Sequence, residues 1–361
     1  MKKLKTLLIA VICCVLIGCK QKNPSMDASN TENKNGGKMT ESKKTLIFED
    51  EYVLDVVGND GVEFHRLEGN KLYISMETKS REIATSLFTN SFGYIDLDDG
   101  TYHELKSFGS DNIRVWDYVY DDDTFLYSTF DGEYSRVYLE KDGEKTLVEE
   151  NKNSALMKIP VFKKYQHKAY YLSYSEQSGE MLTSLREIDL ASGKGITISS
   201  NQSEEKSIPD YLLEMSENHL TYSIVSDKKD VIYDWDITER KMKTVLTDIS
   251  VGRVLWSKGN EYICSDNRTS TSKILDESGS VRYELNYCFN TNSSVGNGIY
   301  HLRGKIAYRY SMGEMTNLDY ADFILRGEIF PNIYNVEDYV YICDFSFSKP
   351  TIWVSKFKVE E

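Results

Sequence analysis

The feature of this sequence that most restricts its fold is a strand–turn–strand unit that recurs along the chain. Asp-Gly between two strand-like runs predicts a two-residue hairpin, because both central positions of that turn need a positive φ. Dipeptides that end in glycine mark five of the turns: Asp99-Gly100, Asp142-Gly143, Ser192-Gly193, Ser278-Gly279 and Met312-Gly313. The six units are YIDLDDGTYHEL (94–105), VYLEKDGEKTLV (137–148), REIDLASGKGITI (186–198), DWDITERKMKTVL (234–246), KILDESGSVRYEL (273–285) and IAYRYSMGEMTNL (306–318).

A second kind of strand lies between these units and is rich in tyrosine and β-branched residues. Many of these runs have the order apolar-Tyr-apolar, which places successive side chains on opposite faces of a sheet. They are KLYISM (71–76), FLYSTF (125–130), AYYLSY (169–174), HLTYSI (219–224), EYICS (261–265) and YVYICDF (339–345).

The spacing of the turns predicts an all-β fold, a β-propeller of four-stranded blades. Successive turns are roughly 35 to 50 residues apart, which is the period of a propeller blade. We predict seven blades, with six or eight as alternatives. A β-sandwich or a β-solenoid is the alternative fold, but a sandwich of this length would usually divide into two domains. The predicted blades span 60–108, 112–150, 160–200, 210–248, 252–288, 294–320 and 323–361.

The strand TLIFEDEYVLDVV (45–57) is left over from this division. We expect it to pair with the last blade and to close the ring, because closure removes exposed sheet edges.

The N-terminus predicts where the protein is located. Three lysines are followed by an apolar run, TLLIAVICCVLI (6–17), which is too short to span a membrane as a helix. The next residues complete the stretch VLIGCK (15–20), which resembles the lipobox of bacterial lipoproteins. The resemblance implies cleavage after Gly18 and attachment of a diacylglycerol, with palmitate as a typical acyl chain, to the sulfur of Cys19.

This resemblance divides the chain into three parts. Residues 1–18 are the expected signal peptide, and 19–44 are the lipidated cysteine and a disordered tether. The tether is polar and lacks aromatic residues, Val, Ile and Leu, so it cannot bury enough surface to offset the entropy of ordering it. Residues 45–361 are the expected single propeller domain. Without Lys2, Lys3 and Lys5, 40 basic residues face 57 acidic ones, a net charge of −17. That charge argues against nucleic acid and permits cations or basic partners.

The cysteines and histidines predict neither a redox site nor a zinc site. Cys264, Cys288 and Cys343 remain besides Cys19, so no complete disulfide framework exists, although one pair stays open. The histidines have no ligand-like spacing; they are His65, His103, His167, His219 and His301. We expect no cofactor.

One acidic run is a candidate for metal binding. Asp121, Asp122 and Asp123 are consecutive and follow a strand, so they could offer oxygen ligands to Ca²⁺. Neighbouring residues of an extended chain point in opposite directions, which makes a solvated turn the alternative. The segment 96–107 resembles a calcium loop only superficially, because Ser107 stands where a bidentate Glu is required.

The sequence contains no local catalytic motif. A phosphate-binding loop and a G-x-S-x-G elbow are both missing. A pair of acidic residues could still meet across blades, as glycoside hydrolysis requires. The aromatic residues, including Trp116, Trp235, Trp256 and Trp353, could line a ligand surface, although packing between blades is the alternative.

Taken with its architecture, the chain looks like bacterial lipoproteins that carry divergent propeller domains. We therefore expect a non-enzymatic binding platform, anchored by lipid to the extracytoplasmic face of the cell membrane. The expected partner is a protein or glycan, with no nucleic acid, and the expected state is a monomer. The alternatives are a propeller-type glycan hydrolase or lyase that uses acidic or His residues from several blades, and a scaffold subunit of a cell-envelope complex.

Overall fold

The computed structural model describes residues 32–33, 40–56, 59–79, 87–108, 114–131, 133–152, 159–177, 180–204, 213–224, 230–247, 253–258, 261–266, 271–285, 289, 294–295, 298–303, 306–311, 314–319, 332–336, 338–346 and 348–360. The described residues contain β-strands, turns and irregular segments, and no helix. The strands form six hydrogen-bonded sheets, which we call blades 1 to 6. They form a propeller ring, so the predicted fold class is confirmed.

Blades 1 to 4 are antiparallel meanders in which each strand pairs with the next one along the chain. Their strands are β3 (Gly61–Glu68), β4 (Lys71–Lys79), β5 (Leu87–Asp96) and β6 (Tyr102–Ser107) in blade 1; β7 (Arg114–Asp121), β8 (Thr124–Phe130), β9 (Tyr134–Lys141) and β10 (Glu144–Lys152) in blade 2; β11 (Lys163–Tyr165), β12 (Lys168–Gln177), β13 (Glu180–Asp189) and β14 (Gly195–Glu204) in blade 3; and β15 (Glu214–Ser216), β16 (His219–Ile224), β17 (Val231–Asp236) and β18 (Lys241–Leu246) in blade 4.

Blades 5 and 6 each include a strand from the start of the chain. Blade 5 has a short fifth strand, β1, at its outer edge, and blade 6 has eight strands in the order β23-β24-β25-β26-β2-β29-β28-β27. The strands are β1 (Glu32–Asn33), β19 (Arg253–Lys258), β20 (Glu261–Asp266), β21 (Thr271–Leu275) and β22 (Val281–Leu285) in blade 5; and β2 (Thr40–Asp55), β23 (Ser294–Val295), β24 (Gly298–Arg303), β25 (Ile306–Ser311), β26 (Glu314–Asp319), β27 (Asn332–Val336), β28 (Tyr339–Ser346) and β29 (Thr351–Glu360) in blade 6.

Strand β2 explains why the blade count differs from the prediction of seven. Counted as hydrogen-bonded sheets, the blades number six, because β2 pairs with β26 in parallel and with β29 in antiparallel orientation. It thereby merges the last two meanders into one sheet. The expected pairing of the early strand with the end of the chain is present, since Thr45 to Asp55 lie opposite Glu360 to Thr351. The strand begins at Thr40, inside the segment predicted as tether.

The tyrosine-rich runs occupy the same place in successive blades. They coincide with β4, β8, β12, β16, β20 and β28, each of which lies inside its sheet. Each described hydrophobic cluster lies between two neighbouring blades. One cluster, for example, joins Ile74 of blade 1 to Cys343 and Phe345 of blade 6. Burying an aliphatic or aromatic side chain of this size contributes about 1.5–3 kcal/mol, so each blade is stabilised mainly by its neighbours.

The glycine turns differ in type from the prediction. Among the described glycine turns, only Asp142-Gly143 has positive φ at both residues, 53° and 79°, as a two-residue hairpin requires. In the other described glycine turns the residue before the glycine does not have positive φ; the glycines are Gly100, Gly193 and Gly279. Two of these turns are wider: the N–H groups of Gly100 and Gly193 donate to the carbonyls of Asp96 and Asp189. Met312-Gly313 lies outside the described residues.

We expect Gly279→Ala to destabilise the protein much more than Gly143→Ala does. Both glycines have φ near +80°, so alanine costs about 1–2 kcal/mol of unfolding free energy at either position. A Cβ at Gly279 would also lie 2.4 Å from the carbonyl oxygen of Leu246 in blade 4, whereas nothing lies within 4 Å of one at Gly143. Urea unfolding of the two variants measures the difference. Equal losses would contradict the close packing of blade 5 on blade 4.

Candidate functional site

Within each blade we number the four meander strands 1 to 4 in chain order. The connection between strands 1 and 2 and the connection between strands 3 and 4 lie at the same end of a meander, so one end of the propeller consists of tight turns. We call this end the turn face. Four of its strand 3–4 turns begin with an Asp whose carboxylate accepts a hydrogen bond from a backbone N–H two or three residues later, which is a common way for Asp to fix a turn. These bonds join Asp98 to Asp96, Ser192 to Asp189, Thr238 to Asp236 and Ser278 to Asp276.

The strand 3–4 turns pack onto the strand 1–2 turns of the same blade. In blades 1, 3 and 4, the buried residue after the Asp donates its backbone N–H to a carbonyl of the neighbouring turn, at 2.7–2.9 Å. The two turns of a blade therefore hold each other, and the residues at their tips have fixed positions. These contacts join Leu97 to Asn70, Leu190 to His167 and Ile237 to Asn218.

Five charged or titratable side chains from three blades meet on the turn face, and we call them the mouth cluster: Arg66, Glu68, Asp121, Lys164 and His167. Lys164 Nζ lies 3.1 Å from Asp121 Oδ1 and 3.3 Å from Glu68 Oε2. Asp121 Oδ2 lies 2.7 Å from His167 Nδ1, and Arg66 Nε donates to Glu68 at 2.8 Å. A lysine of blade 3 thus bridges carboxylates of blades 1 and 2.

Neighbouring charges keep the carboxylate of Asp121 ionised. Partial burial alone would raise its pKa, but hydrogen bonds from His167 and Lys164 and the charge of Lys164 outweigh burial, so the pKa of Asp121 is lowered. Burial likewise opposes the charge of Arg66, but Glu68 more than compensates, so the pKa of Arg66 is raised. Its guanidinium lies 4.3 Å from the ring centre of Tyr73, which favours the cation further.

The mouth cluster includes part of the acidic run considered from the sequence. Ligand atoms of Asp121, Asp122 and His167 all lie within 4.8 Å of one another, close enough to hold a metal ion. Asp123 does not belong to this group. The sequence did not indicate His167, because it lies in the strand 1–2 turn of the next blade. A metal ion would have to compete with Lys164 for the carboxylate of Asp121.

A second polar group has the spacing of a catalytic triad but is buried between blades. Ser75 Oγ lies 3.0 Å from His65 Nε2, and His65 Nδ1 lies 3.1 Å from Asp117 Oδ1. Ser75 has 0% of its surface exposed, so its oxygen is inaccessible to a substrate. The arrangement therefore joins blade 1 to blade 2 and does not form an open nucleophile.

The aromatic residues mostly pack between blades. Trp235 is buried, Trp116 and Trp353 are half-buried, and the side chain of Trp256 lies outside the described residues. Several tyrosine hydroxyls reach into the preceding blade, where they donate to buried or half-buried acceptors. These contacts join Tyr118 to the carbonyls of Ile74 and Gly93, Tyr171 to Glu149, and Tyr262 to Asp234.

The described cysteines form no disulfide. Cys264 and Cys343 are buried free thiols, and burial raises the pKa of both well above its usual value. A raised pKa keeps a thiol protonated and unreactive. Gly18, Cys19 and Cys288 lie outside the described residues. Within the described part of the chain, no helix has the length and apolar character needed to cross a membrane.

The closed ring of meanders defines the protein as a β-propeller, a fold that in general supports a binding or interaction platform. No protein-family model matches the sequence, and no curated protein matches it. Solved structures that are similar to this chain have low sequence identity to it, and the likeness implies no common ligand or activity. They are the beta-propeller domain of the Trilobed protease from Pyrococcus furiosus (9% identity, TM-score 0.49, 86% of this chain and 94% of that one), the Dos1 propeller (10%, 0.48, 87% and 95%) and a chain of a Nidogen/Laminin complex (9%, 0.35, 62% and 93%).

Proposed function

We propose that this protein is a lipid-anchored binding platform on the extracytoplasmic face of a bacterial cell membrane. The anchor would be a diacylglycerol on Cys19, and the turn face would bind a positively charged segment of a protein partner. The observation that carries the binding proposal is the excess of exposed carboxylates on the turn face.

Among the described residues of the turns and of the strand positions next to them, exposed acidic side chains outnumber exposed basic ones. A surface with one sign of charge attracts oppositely charged partners over several ångströms and speeds their association. The exposed acidic residues are Asp98, Asp99, Asp122, Asp123, Asp142, Glu144, Glu217, Glu239, Glu277 and Asp338, against the basic Lys141, Lys194, Arg240 and Lys241.

Several basic side chains at this end of the propeller already have partners in the neighbouring blade. Lys163 of blade 3 lies 3.1 Å from Glu214 of blade 4, and Arg240 of blade 4 lies 3.2 Å from Glu187 of blade 3. Lys164 is shared between two carboxylates, as described above. These positive charges join blades together, so the charge left for a partner is predominantly negative.

An enzyme is the second candidate, because Glu68, Asp121 and His167 converge on one mouth of the propeller. A glycoside hydrolase needs one carboxylic acid with a raised pKa to protonate the leaving group. The pKa of Asp121 is lowered instead, and Lys164 lies between the two carboxylates. These features favour binding of a cation over proton transfer.

We expect a fluorescent octalysine peptide to bind the full-length protein, and Asp122→Asn with Asp123→Asn to weaken that binding several-fold. Asparagine tolerates the positive φ of Asp122, so the fold should persist. Fluorescence anisotropy at increasing salt measures the affinity, which should fall with ionic strength.

The matched control is the pair Glu104→Gln and Glu133→Gln, which removes the same charge from exposed sites outside the turn face. It should leave the affinity unchanged. An equal loss in both pairs would mean that only net charge matters, and the assignment of the turn face would be wrong.

The anchor is tested separately in whole cells. Cys19→Ser should abolish metabolic labelling with palmitate and leave an uncleaved precursor, because the acceptor sulfur is lost. The double variant Cys13→Ser and Cys14→Ser should still be labelled, since those residues lie in the segment that is removed. Labelling that survives Cys19→Ser would refute the anchor and leave the binding proposal untouched.

A further inference from the structure

His65 is a buried imidazole held from both sides. It occupies a bulge in β3, where the register with β4 shifts between Phe64 and Arg66. Its Nε2 lies 3.0 Å from Ser75 Oγ, and its Nδ1 lies 3.1 Å from Asp117 Oδ1. Only 8% of the side chain is exposed. The ring of Tyr118 packs edge-on against the imidazole, with 5.0 Å between centroids.

The partner of His65 also holds the start of blade 3. Asp117 lies after a matching bulge in β7, and its second oxygen accepts a hydrogen bond from the backbone N–H of Phe162 at 2.7 Å. The next two residues are Lys163 and Lys164, which begin β11. One carboxylate therefore joins an imidazole of blade 1 to the backbone that leads into the mouth cluster.

The charges around His65 favour its protonated form. The groups that face it are Glu63 and Arg66 on its own strand and Asp117 and Tyr118 on β7. Burial opposes the imidazolium, but the hydrogen bond to Asp117 and the charges of Glu63 and Asp117 outweigh burial and Arg66, so the pKa of His65 is raised. An imidazolium donates from both nitrogens, whereas a neutral imidazole donates from only one.

We propose that His65 and Asp117 form a proton-controlled latch, which holds the start of blade 3 against blades 1 and 2 and thereby positions Lys164 in the mouth cluster. When His65 is protonated, the ion pair fixes Asp117 where it can accept from Phe162. When His65 loses its proton, the buried carboxylate of Asp117 faces a neutral ring. The start of blade 3 then separates from blades 1 and 2 more often. The mouth of the propeller is then less ordered at alkaline pH.

The direction of the pH dependence follows from linkage. A group whose pKa is higher in the folded state stabilises that state fully below its unfolded pKa, about 6.5 for histidine. This stabilisation is lost as pH rises through the folded-state pKa. The latch is therefore closed at pH 6, and local opening increases about tenfold for each unit by which the folded pKa exceeds the unfolded one.

Hydrogen–deuterium exchange of the segment 159–168 tests the latch in the full chain. After correction for the intrinsic exchange rate, protection in the wild type should be higher at pH 6 than at pH 9, because local opening exposes these amides. His65→Gln should show low protection at both pH values. The matched control is His219→Gln, since His219 pairs with Asp234 at 2.9 Å in blade 4. In this variant the pH dependence of protection in segment 159–168 should persist.

Protection that is equal at pH 6 and pH 9 in the wild type would overturn the latch, and so would a pH dependence that survives His65→Gln. If His65→Gln does not fold, the imidazole of the wild type can be titrated by NMR. A pKa of His65 above 6.5 supports the proposal, and a value below 6.5 overturns it.

Discussion

The fold depends on the pairing of β2 with β29 and β26. A sheet with apolar residues on both faces must be covered on both sides, and in a ring each blade covers the next. The ring can close only if its first and last blades are held together. Strand β2 comes from the start of the chain and pairs along most of β29, while the apolar face of blade 6 packs on blade 1. Closure of this kind also covers an edge that would otherwise be free to pair with another molecule.

Polar contacts between neighbouring blades also help to hold them together. The hydroxyl of Tyr171 reaches Glu149 of the preceding blade, and that of Tyr262 reaches Asp234. A buried carboxylate that loses its partner is costly, so these contacts disfavour an altered order or register of the blades. The latch at His65 belongs to the same group of contacts. It differs because its strength depends on a proton, so that pH can act on a contact that otherwise has a purely structural role.

Local sequence patterns predict the strands, the repeat and the closing strand, because alternation and turn residues act over a few positions. The number of sheets was not predictable, since the merging of two meanders depends on where β2 pairs. Nor was the mouth cluster: Asp121 and His167 are far apart in sequence, and only the packing of blade 2 on blade 3 brings them together. The turn of Asp142 and Gly143 follows the dipeptide rule, whereas the turns that contain Gly100 and Gly193 are wider, and each begins with an Asp whose carboxylate accepts a backbone hydrogen bond.

The most direct test of ring closure is cysteine cross-linking between β2 and its two partners. Ser42 lies opposite Thr316, and Ile47 lies opposite Lys358. Replacing either pair by cysteines should give an intramolecular disulfide under mild oxidation, detected by peptide mapping. Ile47→Cys with Val359→Cys is one residue out of register and should not cross-link, because adjacent residues point to opposite faces. Disulfides that form only between molecules, or equally in the out-of-register pair, would contradict a ring closed by β2.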